Sequence, residues 1–285
     1  GNEHRLQARV VINATGPLSD SVRTLPGSGD EEAEEQIASS QGIHLVLPRA
    51  FLPGETALMI PKTTDGRVLF ALPWHGRVLL GTTDTPRADV SIEPTPLPEE
   101  VDYLLQHAAQ FLTRAPSRGD VLSAFAGIRP LVRPSHGSSR TSAISRDHLV
   151  SVSRAGLITI SGGKWTTSRH MAEDTIDKAI EVGCLSPTSC TTRTYPLPNS
   201  LPIGGSTELS PEIITQAVCD EMAMTLEDLL ARRTGLLFLD ARKSLEAAPA
   251  VAQEMARLLG KDGGWTKHQG DEFSKLAAAY LPRNS

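Results

Sequence analysis

The order of apolar and polar positions predicts strands in the first two thirds of the chain. An apolar run over residues 9–13 predicts a buried strand, and residues 17–23 predict a short helix after it. Short apolar runs at 44–47, 57–60, 68–72 and 78–81 predict further strands, with a hairpin around Asp65-Gly66. An amphipathic helix follows from Pro98, and its apolar stripe is Val101, Leu104, Leu105, Ala108 and Leu112. Residues 40–126 are therefore expected to form an antiparallel sheet with a helix packed on it.

The rest of the chain changes from strands to helices. Residues 121–128 and 157–160 predict strands, and residues 164–182 predict a long helix that ends at Gly183. We expect its stripe of Met171, Ile176, Ala179 and Ile180 to be core. A stretch rich in Pro, Ser, Thr and Gly at 186–206 predicts a linker. Beyond it, Ser210-Pro211 and a capping box from Thr225 to Asp228 start helices, and 247–259 and 271–280 are amphipathic.

Composition narrows the class of protein. The 285 residues are 39% hydrophobic and 21% charged, with a net charge of −5, which argues against a general nucleic-acid binder. Cys184, Cys190 and Cys219 cannot all pair and show no CxxC spacing, so a reducing cytoplasm is the simpler setting and a zinc site is not expected. No apolar run approaches the roughly 20 residues of a spanning helix. A strand that begins almost at residue 1, with no initiator Met, indicates the later part of a longer protein.

The segment Ser-Gly-Gly-Lys-Trp-Thr-Thr-Ser-Arg at 161–169 joins a predicted strand to the long helix. Glycines at a strand exit admit a close ligand, and the first amides of a helix face whatever lies there, with the positive end of the helix dipole behind them. The segment therefore suits a phosphate or the carbonyl edge of a flavin. An ordinary tight turn is the alternative.

Four basic residues lie where predicted strands end: His44, Arg129, Arg146 and Lys164. Loops on a rigid sheet commonly carry ligand-binding groups. The planar fork of an arginine in Gly-Ile-Arg-Pro suits a carboxylate or a phosphate. Each residue also has a simpler interpretation, as a surface arginine, a hydrogen-bonded core histidine or a solvated lysine.

Seven short motifs in one order resemble the FAD-dependent (aerobic) glycerol-3-phosphate dehydrogenases. They are Asn-Ala-Thr-Gly-Pro at 13–17, Gly-Ile-His-Leu-Val-Leu-Pro-Arg at 42–49, Pro-Trp at 73–74, Gly-Thr-Thr-Asp-Thr at 81–85, Gly-Ile-Arg-Pro at 127–130, Ser-Arg-Asp-His at 145–148 and Gly-Gly-Lys-Trp-Thr-Thr at 162–167. The resemblance continues through residues 229–241 and so covers nearly the whole chain. Seven ordered motifs are far more specific than any one of them.

The resemblance implies an α+β flavoprotein of the D-amino-acid-oxidase-like fold with a C-terminal all-helical domain. Its parts would be the end of the FAD-binding domain and an acidic linker (1–39), the substrate-binding sheet (40–126), a return to the FAD-binding domain (127–185) and the helical domain (186–285). Members of the family begin with a strand, a Gly-x-Gly-x-x-Gly turn and a helix that hold the FAD pyrophosphate, and this sequence contains no such unit. Leu18 also stands where the family often has Trp.

The same resemblance implies roles for individual residues in oxidising sn-glycerol 3-phosphate to dihydroxyacetone phosphate with FAD. Catalytic roles fall to His44, Lys164 and Arg129, and the substrate phosphate to Arg129 and Arg146. An imidazole suits general-base work near neutrality, although His44 and Lys164 could exchange duties. The FAD-binding positions would be Ala14, Thr15, Gly16, Gly162, Gly163, Lys164, Trp165, Thr166 and Thr167.

Other functions stay open at this level. An FAD-dependent amino-acid or hydroxy-acid oxidase of the same fold would use a similar arginine for a carboxylate. The chain alone could also be an inactive fragment or a partner-binding helical module. The family implies the quinone pool as electron acceptor and peripheral contact with the inner face of a membrane, which an acidic chain without a basic amphipathic helix does not support independently. A homodimer is one candidate assembly.

Overall fold

The computed structural model describes residues 3–32, 34–60, 63, 67–133, 147–196 and 209–282. Within these residues the chain forms nine strands: β1 Val11–Asn13, β2 Ile37–Pro48, β3 Leu58–Ile60, β4 Leu69–Trp74, β5 Arg77–Gly81, β6 Thr85–Pro86, β7 Ser123–Val132, β8 His148–Val152 and β9 Leu157–Gly162. The α-helices are α1 Ser19–Arg23, α2 Pro98–Ala108, α3 Ser168–Val182, α4 Pro211–Cys219, α5 Leu236–Leu239, α6 Ala241–Leu259 and α7 Gly263–Ala279. Short 3-10 turns and a π-helical segment, Asp228–Arg233, complete the described elements.

The chain divides into two compact units. The first unit comprises Gly1–Gln41, Asp84–Ile92 and Ile128–Pro198, and the second comprises Gly42–Thr83, Glu93–Gly127 and Asn199–Ser285. Strands β2 and β7 each contribute residues to both units. No helix in the described part of the chain is long and apolar enough to cross a membrane.

A three-stranded sheet in the order β1-β9-β8 forms the centre of the first unit. Strand β1 runs parallel to β9, with Asn13 opposite Thr159, and β8 runs antiparallel to β9, with His148 opposite Gly162. Helix α3 follows β9 and contacts both β8 and β9. Because β1 and β9 are parallel, the loops that follow them leave from the same edge of the sheet.

An antiparallel sheet and a helical region form the second unit. The strands lie in the order β3-β4-β5-β2, and one face of the sheet packs against α2 through a continuous apolar core. That core contains Ile43, Leu45, Leu47, Leu69, Val78, Leu80, Val101, Leu104, Leu105 and Ala108. A second core joins α4 to α7 and includes Leu226, Leu229, Leu230, Leu237, Met255 and Phe273.

Most predicted elements are confirmed. Helix α2 buries its predicted stripe, α3 ends at Gly183, and the predicted sheet is antiparallel. Ser210 accepts a hydrogen bond from the Ile213 amide, and Thr225 and Asp228 exchange the two bonds of a capping box. Strands β3 and β4 pair as the hairpin predicts, with Met59 opposite Phe70, whereas Asp65 and Gly66 lie outside the described residues.

Three predictions about burial and length are wrong. Val11 and Ile12 are 58% and 38% exposed, because an apolar strand is buried only where layers cover both of its faces. Ile176 of the supposed core stripe is 51% exposed and borders an open groove. The short strand predicted at 44–47 is the end of the 12-residue β2, whose first half is polar and so lacks an apolar signal.

Candidate active site

The loop after β1 is organised by one buried amide side chain. Asn13 donates from Nδ2 to the Ser19 carbonyl at 2.9 Å, and its Oδ1 accepts from the Thr15 hydroxyl at 2.7 Å and the Thr15 amide at 3.3 Å. These bonds fold the chain back immediately after the strand, while Ala14 and Thr15 themselves stay exposed. The loop therefore presents its backbone at the sheet edge.

The turn after β9 lies at the same edge. Lys164 precedes a 3-10 turn, Trp165–Thr167, and its amide donates to the Thr167 hydroxyl at 3.2 Å. The Thr167 amide donates back to the Lys164 carbonyl at 3.0 Å. Residues 164–168 are exposed, and Trp165 is 91% exposed. The amides of Trp165 and Thr166 come first in the turn, where a helix supplies no acceptor of its own.

Packing within the protein explains why positions 162 and 163 are both glycine. Gly162 and Gly163 have φ values of +74° and +78°, which side chains rarely adopt. A Cβ on Gly162 would lie 2.6 Å from the Asp147 carbonyl oxygen, and one on Gly163 would overlap the thioether of Met171. The space beside each glycine is thus filled by protein atoms. Close approach of a ligand is not needed to explain these glycines.

The donors at this edge fit the flavin edge of FAD. Exposed first-turn amides, the Lys164 ammonium and the helix dipole of α3 all favour an electron-rich partner. The Ala14 and Thr15 backbone lies at the same edge, next to an apolar groove of about 310 Å³ between the sheet and α3. Ile12, Ala14, Ile160, Ser168, Met171 and Thr175 line this groove. This edge therefore combines polar donors with an apolar neighbouring surface.

Arg129 lies in β7 and forms an ion pair. Its Nη1 is 3.7 Å from Asp84 Oδ1, and the Ser40 hydroxyl hydrogen-bonds the same carboxylate. Asp84 therefore limits the orientations of the guanidinium, which is about one quarter exposed. Arg146, the second predicted phosphate ligand, lies outside the described residues.

His44 lies in β2, on the sheet face opposite the apolar core. It is opposite Gly81 in the register of β2 and β5, and its ring stacks on Phe125 with centroids 5.6 Å apart and planes at 21°. The next residue back, Ile43, donates its amide to the Thr83 hydroxyl, which in turn donates to the buried carboxylate of Glu100 at 2.8 Å. The backbone beside His44 is therefore fixed by a buried polar network.

Three residues that support the predicted site residues are not distinguished by a local sequence pattern. Phe125 contacts His44, Asp84 contacts Arg129, and Glu100 supports the strand that carries His44. Asp84 stands in the Gly-Thr-Thr-Asp-Thr motif at 81–85 quoted above, and this motif is the signal that would have selected it. Phe125 carries none, because its contact joins two strands far apart in the chain.

The structure distributes the predicted residues between the two units. The first unit brings Ala14, Thr15 and Gly16 to the same sheet edge as residues 162–167, and it also contains Arg129. The second unit contains His44. Within the described ranges, no group of three or more His, Cys, Asp or Glu side chains is arranged to hold a metal ion.

Solved and curated proteins with similar sequences point to one class. The chain is 45% identical to a probable mitochondrial glycerol-3-phosphate dehydrogenase of Caenorhabditis elegans, over 66% of this chain and 27% of that protein. It is 34% identical to the mitochondrial glycerol-3-phosphate dehydrogenase of Macaca fascicularis, over 99% of this chain and 45% of that protein. The chain thus spans less than half the length of either relative.

The fold has a match among solved structures. The glycerol-3-phosphate dehydrogenase from Bacillus halodurans complexed with FAD superposes with a TM-score of 0.77 at 23% identity, over 99% of this chain and 64% of that chain. This match confirms the expected α+β fold with its C-terminal helical region.

Two family models match successive parts of the sequence. The C-terminal domain of alpha-glycerophosphate oxidase matches residues 200–269. The FAD dependent oxidoreductase model matches residues 1–169, which is more than half of the chain. On this match, together with the fold, the chain belongs to the FAD dependent oxidoreductase family.

Proposed function

We propose that this chain takes part in the FAD-dependent oxidation of sn-glycerol 3-phosphate to dihydroxyacetone phosphate. The observation that carries the proposal is the parallel pairing of β1 and β9, which presents Ala14–Gly16 and the turn at 162–167 at one sheet edge. The dehydrogenase relatives and the glycerophosphate oxidase C-terminal model favour this substrate over an amino acid or a hydroxy acid.

The residues at this edge would hold FAD. The backbone of Ala14, Thr15 and Gly16 would line one side of the flavin, and the amides of Trp165 and Thr166 would face its electron-rich edge, with Gly162, Gly163, Lys164 and Thr167 shaping the turn. Held there, FAD would supply the acceptor for the hydride lost from C2 of the substrate. The positive end of the α3 dipole favours negative charge at that edge.

The substrate phosphate would be held by arginine. A guanidinium offers two parallel hydrogen bonds to a phosphate, and Asp84 restricts how Arg129 can turn. Arg146 is the second proposed ligand of the phosphate. Such a clamp places C2 of the substrate before reaction, and positioning of this kind supplies up to about 7–11 kcal/mol of a reaction barrier.

The proton of the C2 hydroxyl needs an acceptor. We assign this role to the imidazole of His44, which then carries the positive charge while the alcohol becomes a ketone. Lys164 would donate a hydrogen bond to the same oxygen or to the flavin and so stabilise developing charge. With hydride and proton both removed from the substrate, the product is dihydroxyacetone phosphate.

The acceptor of the electrons is a further part of the proposal. By resemblance to the family, we assign it to the quinone pool, reached through peripheral contact with a membrane by a cytoplasmic-side protein. The two curated relatives named above are mitochondrial proteins. A homodimer is the proposed assembly.

One titration tests the central claim. The purified protein is mixed with FAD, separated from free cofactor, scanned in the visible range and then given sn-glycerol 3-phosphate without oxygen. We expect bound flavin whose absorbance bleaches with this substrate, and no bleaching with glycine or lactate at equal concentration. Bleaching by glycine or lactate instead would replace the proposed substrate with an amino acid or a hydroxy acid.

A further inference from the structure

The ring of His44 lies against two neighbours that limit where it can point. A Cβ on Gly81 would come 2.7 Å from His44 Nε2 and 3.0 Å from its Cγ, so the imidazole occupies the space that a side chain at position 81 would need. Phe125 stacks nearly parallel to the ring, 5.6 Å away between centroids. A half-exposed histidine without such neighbours would choose among several rotamers.

Phe125 is in turn held by the C-terminal helical region. The ring of Phe238 in α5 meets Phe125 edge-on at 5.2 Å, and the ring of Tyr280 meets Phe238 edge-on at 5.5 Å. The Tyr280 hydroxyl donates to Glu93 at 2.8 Å. Burial and this hydrogen bond raise the pKa of Tyr280 above its usual range, which keeps the phenol protonated as a donor.

Backbone bonds fix the strand at the same place. The Ala124 amide donates to the Tyr280 carbonyl at 2.7 Å, and the Ser123 hydroxyl donates to the Leu237 carbonyl at 2.9 Å. The residues just before Phe125 are therefore attached to the same two helical segments that supply Phe238 and Tyr280. The aromatic series and the hydrogen bonds act on one short piece of β7.

We propose that Phe125 is a positioning residue that orients the imidazole of His44, and that the C-terminal helical region holds Phe125 in place through Phe238 and Tyr280. The inference rests on the proposed function, because orientation matters only if His44 accepts the proton. It gives the helical region a part in the reaction, although none of these helical residues is assigned to the substrate.

The test compares two substitutions of Phe125 in the flavin-loaded protein. Phe125→Leu removes the aromatic face and Phe125→Tyr retains it. With ¹³C-labelled histidine, the ring protons of His44, assigned by their loss in His44→Gln, should move downfield in Phe125→Leu and stay near their wild-type positions in Phe125→Tyr. The rate of flavin reduction should fall about 10–100-fold in Phe125→Leu, as displacement of a reacting group by about 1 Å does, with the KM for glycerol 3-phosphate within about twofold.

A distant variant tests the role of the helices. Phe238→Leu should shift the same His44 resonances in the same direction and slow flavin reduction by a smaller factor of about 3–10. Phe111→Leu removes a half-exposed ring from the same unit, outside this aromatic series, and it should change neither readout. Flavin content and melting temperature identify variants that are folded.

The outcomes separate this inference from the proposed function. Unchanged His44 resonances, or an unchanged reduction rate, in folded Phe125→Leu would overturn the positioning role while leaving the substrate and cofactor assignments in place. A full reduction rate in His44→Gln would instead remove the proton-acceptor role, and the inference would fail with it. Two results together would support both parts of the inference, the effect of Phe125 on His44 and that of the helical region on Phe125. They are a wild-type reduction rate in Phe125→Tyr and a lowered rate in Phe238→Leu.

Discussion

In the first unit, the candidate cofactor-binding groups are backbone amides on an exposed turn. In the second unit, the candidate catalytic group is one side chain, His44, which is packed against its neighbours. The turn at 162–167 keeps its shape through left-handed glycines and a local capping pair. His44 depends instead on residues that are distant in the chain, Gly81 and Phe125. A backbone site tolerates changes of side chain, and a packed side chain tolerates few changes around it. The two kinds of site should therefore fail in different ways when substituted.

The largest expected effect separates the two candidate proton acceptors. His44→Gln should lower the rate of flavin reduction about 10²–10⁴-fold, because a general base is lost, and flavin content should not change. It should also remove the rise of kcat/KM with pH in the range where an imidazole titrates, whereas Lys164→Ala should keep that rise. His268→Gln, an exposed histidine, is the control. If the rise of kcat/KM with pH disappears only in Lys164→Ala, then Lys164 of the first unit is the proton acceptor and His44 is not.

The next effect tests the packed side of the glycine turn. Gly163→Ala should lower the free energy of unfolding by about 3 kcal/mol, since it combines a left-handed φ with overlap against Met171. Gly16→Ala has a φ of +58° but meets no atom within 4 Å, so about 1 kcal/mol is expected. Urea unfolding of both variants measures the difference. Equal losses of unfolding free energy in the two variants would mean that the positive φ alone destabilises them. The contact with Met171 beside Gly163 would then contribute nothing.

In the second unit the close approach of Gly81 to His44 can be measured as a coupling energy. Gly81→Ala should destabilise the protein by about 2 kcal/mol, and most of that loss should disappear when His44 is also alanine. The four proteins of this cycle are compared by urea midpoints. Strictly additive losses would show that the imidazole does not occupy the space beside Gly81.

A smaller effect concerns the arginine clamp. Arg129→Lys keeps the charge but loses the planar fork, so the KM for glycerol 3-phosphate should rise about tenfold while flavin binding is retained. Steady-state assays over substrate concentration give the result, with Arg154→Lys on the exposed surface as the control. Unchanged KM would assign the phosphate to other groups.

The smallest effect lies in the helical support of the second unit. Burial opposes ionisation of Asp228, but hydrogen bonds from Thr225 and Met224 outweigh it and lower the pKa of the carboxyl. The stability it provides is therefore full above the ordinary pKa of about 3.9 and is lost as pH falls through the lowered folded value. Asp228→Asn should cost about 0.5–1 kcal/mol at pH 7 and much less at pH 3. Asp271→Asn, at an exposed position, is the control for the loss of one carboxylate.

Local sequence patterns predicted the helices and strands. The exposure of side chains, the length of β2 and the stacking of rings depend instead on contacts between residues far apart in the chain. The stripe of α2 and the Thr225–Asp228 capping box depend on residues three or four apart, and both are confirmed. The exposure of Val11, the full length of β2 and the stacking of Phe125 on His44 depend on partners elsewhere in the fold. Ordered motifs identified the family, but the roles of His44, Lys164, Arg129 and Arg146 stay predictions. The spacing of residues in the sequence does not determine that Phe125 will stack on the ring of His44.

The hydrogen bonds from β7 to the helical region also set an order of events during synthesis. Ala124 leaves the ribosome well before Tyr280, its backbone partner, and at 5–20 residues per second the delay is on the order of ten seconds. For the first part of that interval Phe125 lacks Phe238, the ring that meets it edge-on. The surroundings of His44 are therefore completed only after translation has passed residue 280, and a nascent chain that pauses earlier would display an uncovered aromatic strand to chaperones.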